Sequence, residues 1–260
     1  RVRAITQDDA HVFCRHSQVQ EEILTIWDII TEFYGRVGFT LAVRLSLSDP
    51  KQSKNYLGTP AVWKKAESTL RAIIKDKGVE AYEGIGEAAF YGPKIDFIAK
   101  DSLGREWQVA TIQLDMNLPE RFDLACINEK GERERIVMIH AAIMGSIERY
   151  LSILIEHYAG AFPLWLAPVQ VAVLTVTDVA KDYAREVYKK LENENMRAML
   201  DDRNETIGKK IREAEMQKIP YLLVIGGREA EAKTVAVRAR GKGDQGTMAL
   251  DDFLKKIENE

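Results

Sequence analysis

At 260 residues, 46% hydrophobic and 30% charged, the chain is long enough for one large or two ordinary domains with closed cores, which excludes a disordered polymer and a miniature scaffold. Thirty-seven Lys and Arg against 40 Asp and Glu give a net charge of −3, so a nucleic-acid partner has to meet a local basic surface and not a globally basic protein. Two cysteines, Cys14 and Cys126, with no CxxC spacing argue against a disulfide framework and for a reducing compartment, with the cytoplasm expected.

Arg1 to Asp9 is too polar for a signal peptide, and no apolar run reaches the roughly 20 residues of a membrane span. The opening stretch RVRAITQDDAHVFC alternates, which predicts a strand with Arg1, Arg3, Gln7, Asp9 and His11 on one face and Val2, Ala4, Ala10 and Val12 on the other. Because it opens in mid-strand, the sequence reads as a piece of a longer chain. A helix capped by Ser17 runs to about Tyr34 on the apolar positions Val19, Ile23, Ile26, Trp27 and Ile30, and Gly35 stops it. A strand at Phe39 to Ser46, a loop at Ser48 to Pro60 and a helix at Ala61 to Lys77 ended by Gly78 follow. Strand-like runs at Phe90 to Ala99, Glu106 to Leu114 and Ile136 to His140, joined by turns, predict an antiparallel sheet, with a helix from Ala141 to Tyr158 packed on it through Ile143, Ile147, Tyr150, Leu151 and Leu154.

The segment AGAFPLWLAPVQ breaks the periodicity and is the candidate linker, dividing the chain into residues 1–166 and 167–260. Beyond it, strands at Val169 to Val176, near Met199, Tyr221 to Ile225 and Thr234 to Arg240 alternate with helices at Lys181 to Glu194, Ile207 to Gln217 and Leu250 to Glu258. That alternation predicts a small α/β domain with a mixed, largely parallel sheet and helices on both sides.

Several residues in these patterns could carry chemistry. His11 closes a polar strand face and His140 ends an apolar strand; imidazoles on rigid strands suit zinc, and hydrogen-bonded strand histidines are the plainer reading. Gln7, Asp9, Tyr91, Gln108, Thr111 and Gln113 are polar residues inside otherwise buried patterns, as in a sheet face that lines a ligand pocket or faces water. Gln108 has the wrong parity to share that face with Thr111 and Gln113 unless a bulge intervenes. Arg149 sits in an apolar helix and needs an acidic partner or an anionic ligand, and Gly145 and Ser146 one turn earlier leave room for a flat group. In the C-terminal domain the basic concentrations are Lys209, Lys210 and Arg212, and Arg238, Arg240 and Lys242. Gly226 and Gly227 do not form GxGxxG, and the GxSxG and P-loop patterns are absent.

The strings RVRAITQDDAHVFC, AFYGPKIDF, WQVATIQLD, LPERFDL, VMIHAAIMGSIERY, LIEHYAGAFPLWLAPVQV and DDRNETIGKKIREAE resemble those of the threonyl-tRNA synthetases, a class II aminoacyl-tRNA synthetase family. The resemblance runs over essentially the whole chain, from the second half of class motif 2 through motif 3 to the anticodon-binding domain. It implies a class II antiparallel sheet with helices, truncated at its N-terminus and followed by the small α/β anticodon-binding domain. The family's editing domains, its motif 1 and the first half of its motif 2 have no counterpart in this sequence, and Ala141 stands where the family usually has an arginine.

The resemblance implies a zinc ion held by His11, His140 and a cysteine whose matching position lies upstream of Arg1; Cys14, on the opposite strand face, and Cys126, in a loop, do not replace it. Such a metal would ligate the threonine hydroxyl, which valine lacks, where an apolar pocket separates isosteres only about 100-fold. Threonine would be contacted by Gln7, Asp9, Tyr91 and Gln113. ATP, with its Mg²⁺, would be contacted by Arg1, Gln108, Thr111 and Arg149, of which Arg149 and Arg1 stabilise charge during adenylate formation. The anticodon of tRNA(Thr) would be contacted by Asn204, Arg212, Glu229 and Arg238. The implied activity is ATP-dependent attachment of threonine to tRNA, by a homodimer in the full-length family enzyme. A non-catalytic tRNA-binding fragment or paralogue is the rival reading. A prolyl enzyme is disfavoured by histidines at both 11 and 140.

Overall fold

The computed structural model describes residues 3–258, and Arg1 lies outside them. Among the described residues the alternating N-terminal stretch is a strand only at Ala10–Arg15 (β1); residues 3–9 run as irregular chain whose Gln7 bridges Ser146. Helix α1 (Val19–Arg36) starts beyond Ser17, after a 3₁₀ turn at His16–Gln18, and buries Val19, Ile23, Ile26, Trp27, Ile30 and Tyr34. Gly35 does not end it; the chain turns at Gly38, with φ +77°. Strand β2 (Leu41–Leu47) leads through a 3₁₀ turn at Pro50–Asn55 to helix α2 (Pro60–Lys77), capped by the Thr59 side chain and closed by Gly78 at φ +68°.

Strand β3 (Ala81–Ile85), not foreseen from the sequence, precedes β4 (Lys94–Lys100) and β5 (Glu106–Asp115). A short turn α3 (Leu118–Arg121) leads to β6 (Ala125–Ile127), so Cys126 is on a strand and not in a loop. Strand β7 (Arg133–Ala142) is ten residues long and carries the chain through positions 141 and 142, which the sequence pattern assigned to a helix. The helix α4 (Ile147–Tyr158) begins six residues later than expected and buries Tyr150, Ile153 and Leu154, whereas Leu151 is exposed. Strand order is β1-β7-β5-β4-β2-β3, with β6 on β7; every pairing is antiparallel except β2 with β3. One face is apolar, through Ile95, Phe97, Ile112, Leu114 and Ile139, and Trp27 of α1 meets Phe97 edge-on with ring centroids 5.0 Å apart. Ala141, opposite Ala10 and Ile112 in register, is buried on this apolar face.

The chain divides into two compact units, residues 1–154 and 155–260. The second contains a 3₁₀ turn at Leu164–Leu166, then β8 (Val171–Thr175), α5 (Lys181–Asn193), β9 (Ala198–Asp201), α6 (Ile207–Met216), β10 (Tyr221–Ile225), α7 (Gly227–Ala232), β11 (Thr234–Ala239), β12 (Gly243–Ala249) and α8 (Leu250–Ile257). Its sheet order is β12-β11-β10-β8-β9; β10–β8 and β8–β9 are parallel, and the two pairings through β11 are antiparallel. The antiparallel half arises because β12 returns beside β11 by a tight glycine turn at Gly241 and Gly243, a hairpin too polar to read as strand from sequence. Helices α5 and α8 cover one face with Val187, Leu191, Phe253 and Ile257, and α6 covers the other, where Ala214 and Ile219 meet Ala172, Leu174 and Leu222.

Candidate active site

The opposite face of the first sheet is polar, and the strand register sets its residues in rows. His11, His140, Gln113, Lys94 and Ser46 stand side by side across β1, β7, β5, β4 and β2. Two residues along, Ala142, Thr111, Asp96 and Arg44 form the next row. Gln108 joins this face because the β4–β5 register shifts between Phe97↔Ala110 and Ile98↔Gln108, leaving Val109 as an extra residue. That is the bulge its parity required.

Over these rows lies a cleft of about 440 Å³ whose lining includes Gln7, Asp9, Tyr91, Gln108, Thr111, Gln113, His140 and Arg149. His11 stands at its edge, edge-on to His140 with ring centroids 4.6 Å apart. Gln7 and Asp9 reach the cleft although they are not on a strand, because the irregular chain is tied to the turn before α4. The Asp8 Oδ2 accepts the backbone N–H groups of Ile143 and Met144 at 2.8 and 2.7 Å, the Thr6 carbonyl accepts the N–H of Ile147 at 2.9 Å, and Glu148 accepts the N–H of Thr6 at 3.0 Å. Asp8 is therefore a functional residue that the sequence pattern does not single out: by period 2 it shares parity with Ala4 and Ala10, away from Gln7 and Asp9.

Arg149 occupies the first turn of α4. Its Nη2 donates to the Gln108 carbonyl at 2.6 Å, and among the described residues it pairs with no carboxylate, so the guanidinium keeps donors for an anion in the cleft. Gly145, at φ +64°, leaves open the space beside it; a Cβ there would lie 3.2 Å from Arg149 Nη2. Tyr34, buried at the end of α1, donates to the Ile143 carbonyl at 2.8 Å and lies 3.3 Å from that of Val109, and burial raises its phenol pKa.

At the other end of the cleft the Tyr91 hydroxyl donates to Gln113 Oε1 at 2.5 Å, and its ring lies 4.6 Å from that of His140. Burial, with Asp115 and Asp9 nearby, pushes its pKa up to about 12, so Tyr91 is a neutral donor at neutral pH. His140 Nε2 bonds the buried Asp115 Oδ2 at 3.0 Å, and Asp115 Oδ1 accepts the N–H groups of Asn117 and Leu118 at 2.8 and 2.9 Å. The carboxylate assigns the ring proton to Nε2 and leaves Nδ1 as a lone-pair donor, the arrangement by which metal-ligating histidines are oriented.

Two imidazoles fit part of a zinc site. Among the described residues no set of three His, Cys, Asp or Glu is placed to hold a metal. Cys14 is buried on the apolar face, opposite the one that carries His11 and His140, so it does not join them; burial and Glu22 push its thiol up to about 11.

In the second unit Asn204 is exposed in the turn before α6 and Arg212 is exposed on α6. Arg238, on β11 opposite Leu222, faces the α6 side, 3.8 Å from Glu215 across a hollow of about 230 Å³, and its buried Nε has no hydrogen-bond partner among the described residues. Glu229 accepts the Gly226 N–H at 2.8 Å and caps α7. Lys210 does not belong to the basic surface: it is buried, and its Nζ donates to the carbonyls of Thr175 and Asp201 at 2.9 and 3.2 Å, capping the ends of β8 and β9.

Residues 1–158 match the family model for the tRNA synthetase class II core domain (G, H, P, S and T), and residues 170–260 match the model for the anticodon binding domain. The chain is 51% identical over 257 residues to the threonine–tRNA ligase of Carboxydothermus hydrogenoformans and 52% identical over 260 residues to that of Desulforamulus reducens. It covers 99% and 100% of itself in these alignments but spans only 40% of each relative. Among solved structures, that of the RNA binding domain of threonyl-tRNA synthetase from Cryptosporidium parvum superposes with a TM-score of 0.91 at 39% identity, covering 99% of this chain and 64% of that one.

Proposed function

The chain belongs to the class II tRNA synthetase core family, and from that premise we propose that it carries the threonine-activating and anticodon-reading parts of a threonine–tRNA ligase. Residues 1–166 form the activating portion and residues 167–260 the anticodon-binding domain. The observation that carries the reading is the polar face itself. The sheet face carrying His140, Gln113, Thr111 and Gln108, together with Gln7 and Asp9 of the irregular segment, Tyr91 and Arg149 of α4, lines a single cleft.

Asp9 faces the ammonium of threonine, while Tyr91 and Gln113, locked to each other, present a fixed polar wall to the amino acid. Gln108 and Thr111 hold the nucleotide. Arg149 lies against the phosphates and stabilises the charge that develops as the threonine carboxylate attacks the α-phosphate and pyrophosphate leaves; Arg1, to which the family resemblance gives the same role, is outside the described residues. Catalysis is positioning plus fixed electrostatics, with no covalent enzyme intermediate. Mg²⁺ arrives with ATP.

Zinc bound by His11 and His140, with a third ligand that this sequence does not contain, would supply a Lewis acid for the threonine amine and hydroxyl. The second step passes threonine to tRNA(Thr), whose anticodon is read by Asn204, Arg212, Glu229 and Arg238 through base edges and stacking. The reading places the protein in the cytoplasm and its full-length form in a homodimer; among the described residues no helix is long and apolar enough to cross a membrane.

The test is a separation of effects in the full-length protein. Arg149→Ala should lower threonine-dependent pyrophosphate exchange by about 100-fold or more while leaving tRNA affinity intact. Arg238→Ala should weaken tRNA by about 1 to 3 kcal/mol and spare exchange. Exchange that survives Arg149→Ala would remove the catalytic half of the reading. Binding of tRNA(Thr) without any exchange in the unaltered protein would favour the non-catalytic rival.

A further inference from the structure

Asp96 is fully buried at the middle of β4, flanked in register by Arg44 on β2 and Thr111 on β5. Its Oδ2 accepts Ser46 Oγ at 2.6 Å and Arg44 Nη2 at 3.0 Å, with Lys94 Nζ at 3.3 Å. These contacts neutralise the charge and would suffice for a structural carboxylate. Its Oδ1 is used differently: it accepts Gln108 Nε2 and Thr111 Oγ1, both at 2.8 Å, and both residues line the cleft.

An ionised carboxylate only accepts, so the single proton of the Thr111 hydroxyl is spent on Asp96 and the oxygen offers the cleft lone pairs alone. The Gln108 amide is fixed as well. Arg44 Nη2 donates to Gln108 Oε1 at 3.1 Å, and a flipped amide would set oxygen against carboxylate and NH₂ against guanidinium.

We infer that Asp96 is a positioning residue of the nucleotide half of the cleft: by taking the Thr111 proton and fixing the Gln108 amide, it makes Thr111 an acceptor that selects a hydrogen-bond donor on the nucleotide. On ATP that donor is a ribose hydroxyl or the exocyclic amine of the base. The inference rests on the reading that this cleft binds ATP.

The experiment titrates ATP, 2′-deoxy-ATP, 3′-deoxy-ATP and inosine triphosphate calorimetrically into the full-length protein and into its Thr111→Val, Thr111→Ser and Asp96→Asn variants, and measures KM for ATP and for threonine in pyrophosphate exchange. Thr111→Val should weaken ATP about ten-fold and Thr111→Ser should restore it. The one analogue that lacks the donor should bind the unaltered protein correspondingly more weakly and be indifferent to Thr111→Val. Asp96→Asn, whose amide can turn an N–H toward Thr111, should raise KM for ATP by a similar factor, leave KM for threonine unchanged, and add nothing to Thr111→Val. Equal sensitivity of all three analogues to Thr111→Val, or a rise in both KM values that adds to the Thr111 effect, would overturn the inference. Normal ATP binding without exchange would sink threonine activation and leave the inference to the titrations; no ATP binding at all would sink both.

Discussion

His11 and His140 face each other across β1 and β7 and supply two nitrogens, one fewer than the three protein ligands of a zinc that keeps an open position. The 260-residue chain, dialysed against metal-free buffer, should therefore retain far less than one zinc per chain by atomic absorption, and stoichiometric zinc would contradict the ligand count. In a protein that supplies the third ligand, His11→Ala should abolish binding, and Asp115→Asn should weaken it by about 10- to 100-fold, because Asp115 fixes the proton and orientation of the His140 ring. The polar residues that line the cleft were legible because a polar side chain inside a strand pattern is conspicuous. Asp8, Arg44, Asp96 and Asp115 were not, since they touch other side chains and backbone and announce nothing by spacing.

At the scale of elements, the bulge at Val109 and the turn before α4 are held together by one buried hydroxyl, that of Tyr34. Tyr34→Phe strands the Ile143 carbonyl and should cost about 1 to 3 kcal/mol in urea unfolding, with a loss of pyrophosphate exchange at a temperature where the variant is still folded. The turn between β4 and β5 makes a different prediction. Burial raises the Asp101 pKa, but the Trp107 indole at 2.7 Å, Arg105 Nε at 2.6 Å and the N–H groups of Leu103 and Arg105 outweigh it and hold the carboxyl at about 2. A carboxyl held below its unfolded value of about 3.9 contributes stability above that pH and loses it as pH falls toward 2. Asp101→Asn should thus lower Tm by a constant amount from neutral pH down to about 5, with the gap to the unaltered protein closing between about pH 4 and 2. A gap that stayed constant into that acid range would show that the charge contributes nothing. Element types were largely legible from period and caps, and the misplaced ends have local causes. Period 2 continued through residues 3–9 although no second strand pairs with them, and the apolar positions 141–143 fit a helix as well as the end of a strand.

For the whole molecule, the buried core of the second unit draws only on residues from Leu164 to Ile257, so that unit closes its own interior. Residues 160–260 expressed alone should give a cooperative unfolding transition and bind the anticodon stem-loop of tRNA(Thr) in a manner weakened by Arg238→Ala. A molten peptide without a transition would show that its core is incomplete without the first unit.

Local chemistry in the sequence determined which segments are helix and strand, where the chain mostly turns, that Gln108, Thr111 and Gln113 are polar where the pattern is apolar, and that His11 closes a polar strand face and His140 an apolar strand, because period and turn preference act between near neighbours. Only the tertiary structure decided which of those residues meet. Register across five strands sets His11 beside His140 and Gln113, a one-residue bulge turns Gln108 to the same face, and an irregular segment reaches the cleft through Asp8. Those pairings join residues as far apart as 136 positions, and no period along the chain encodes them.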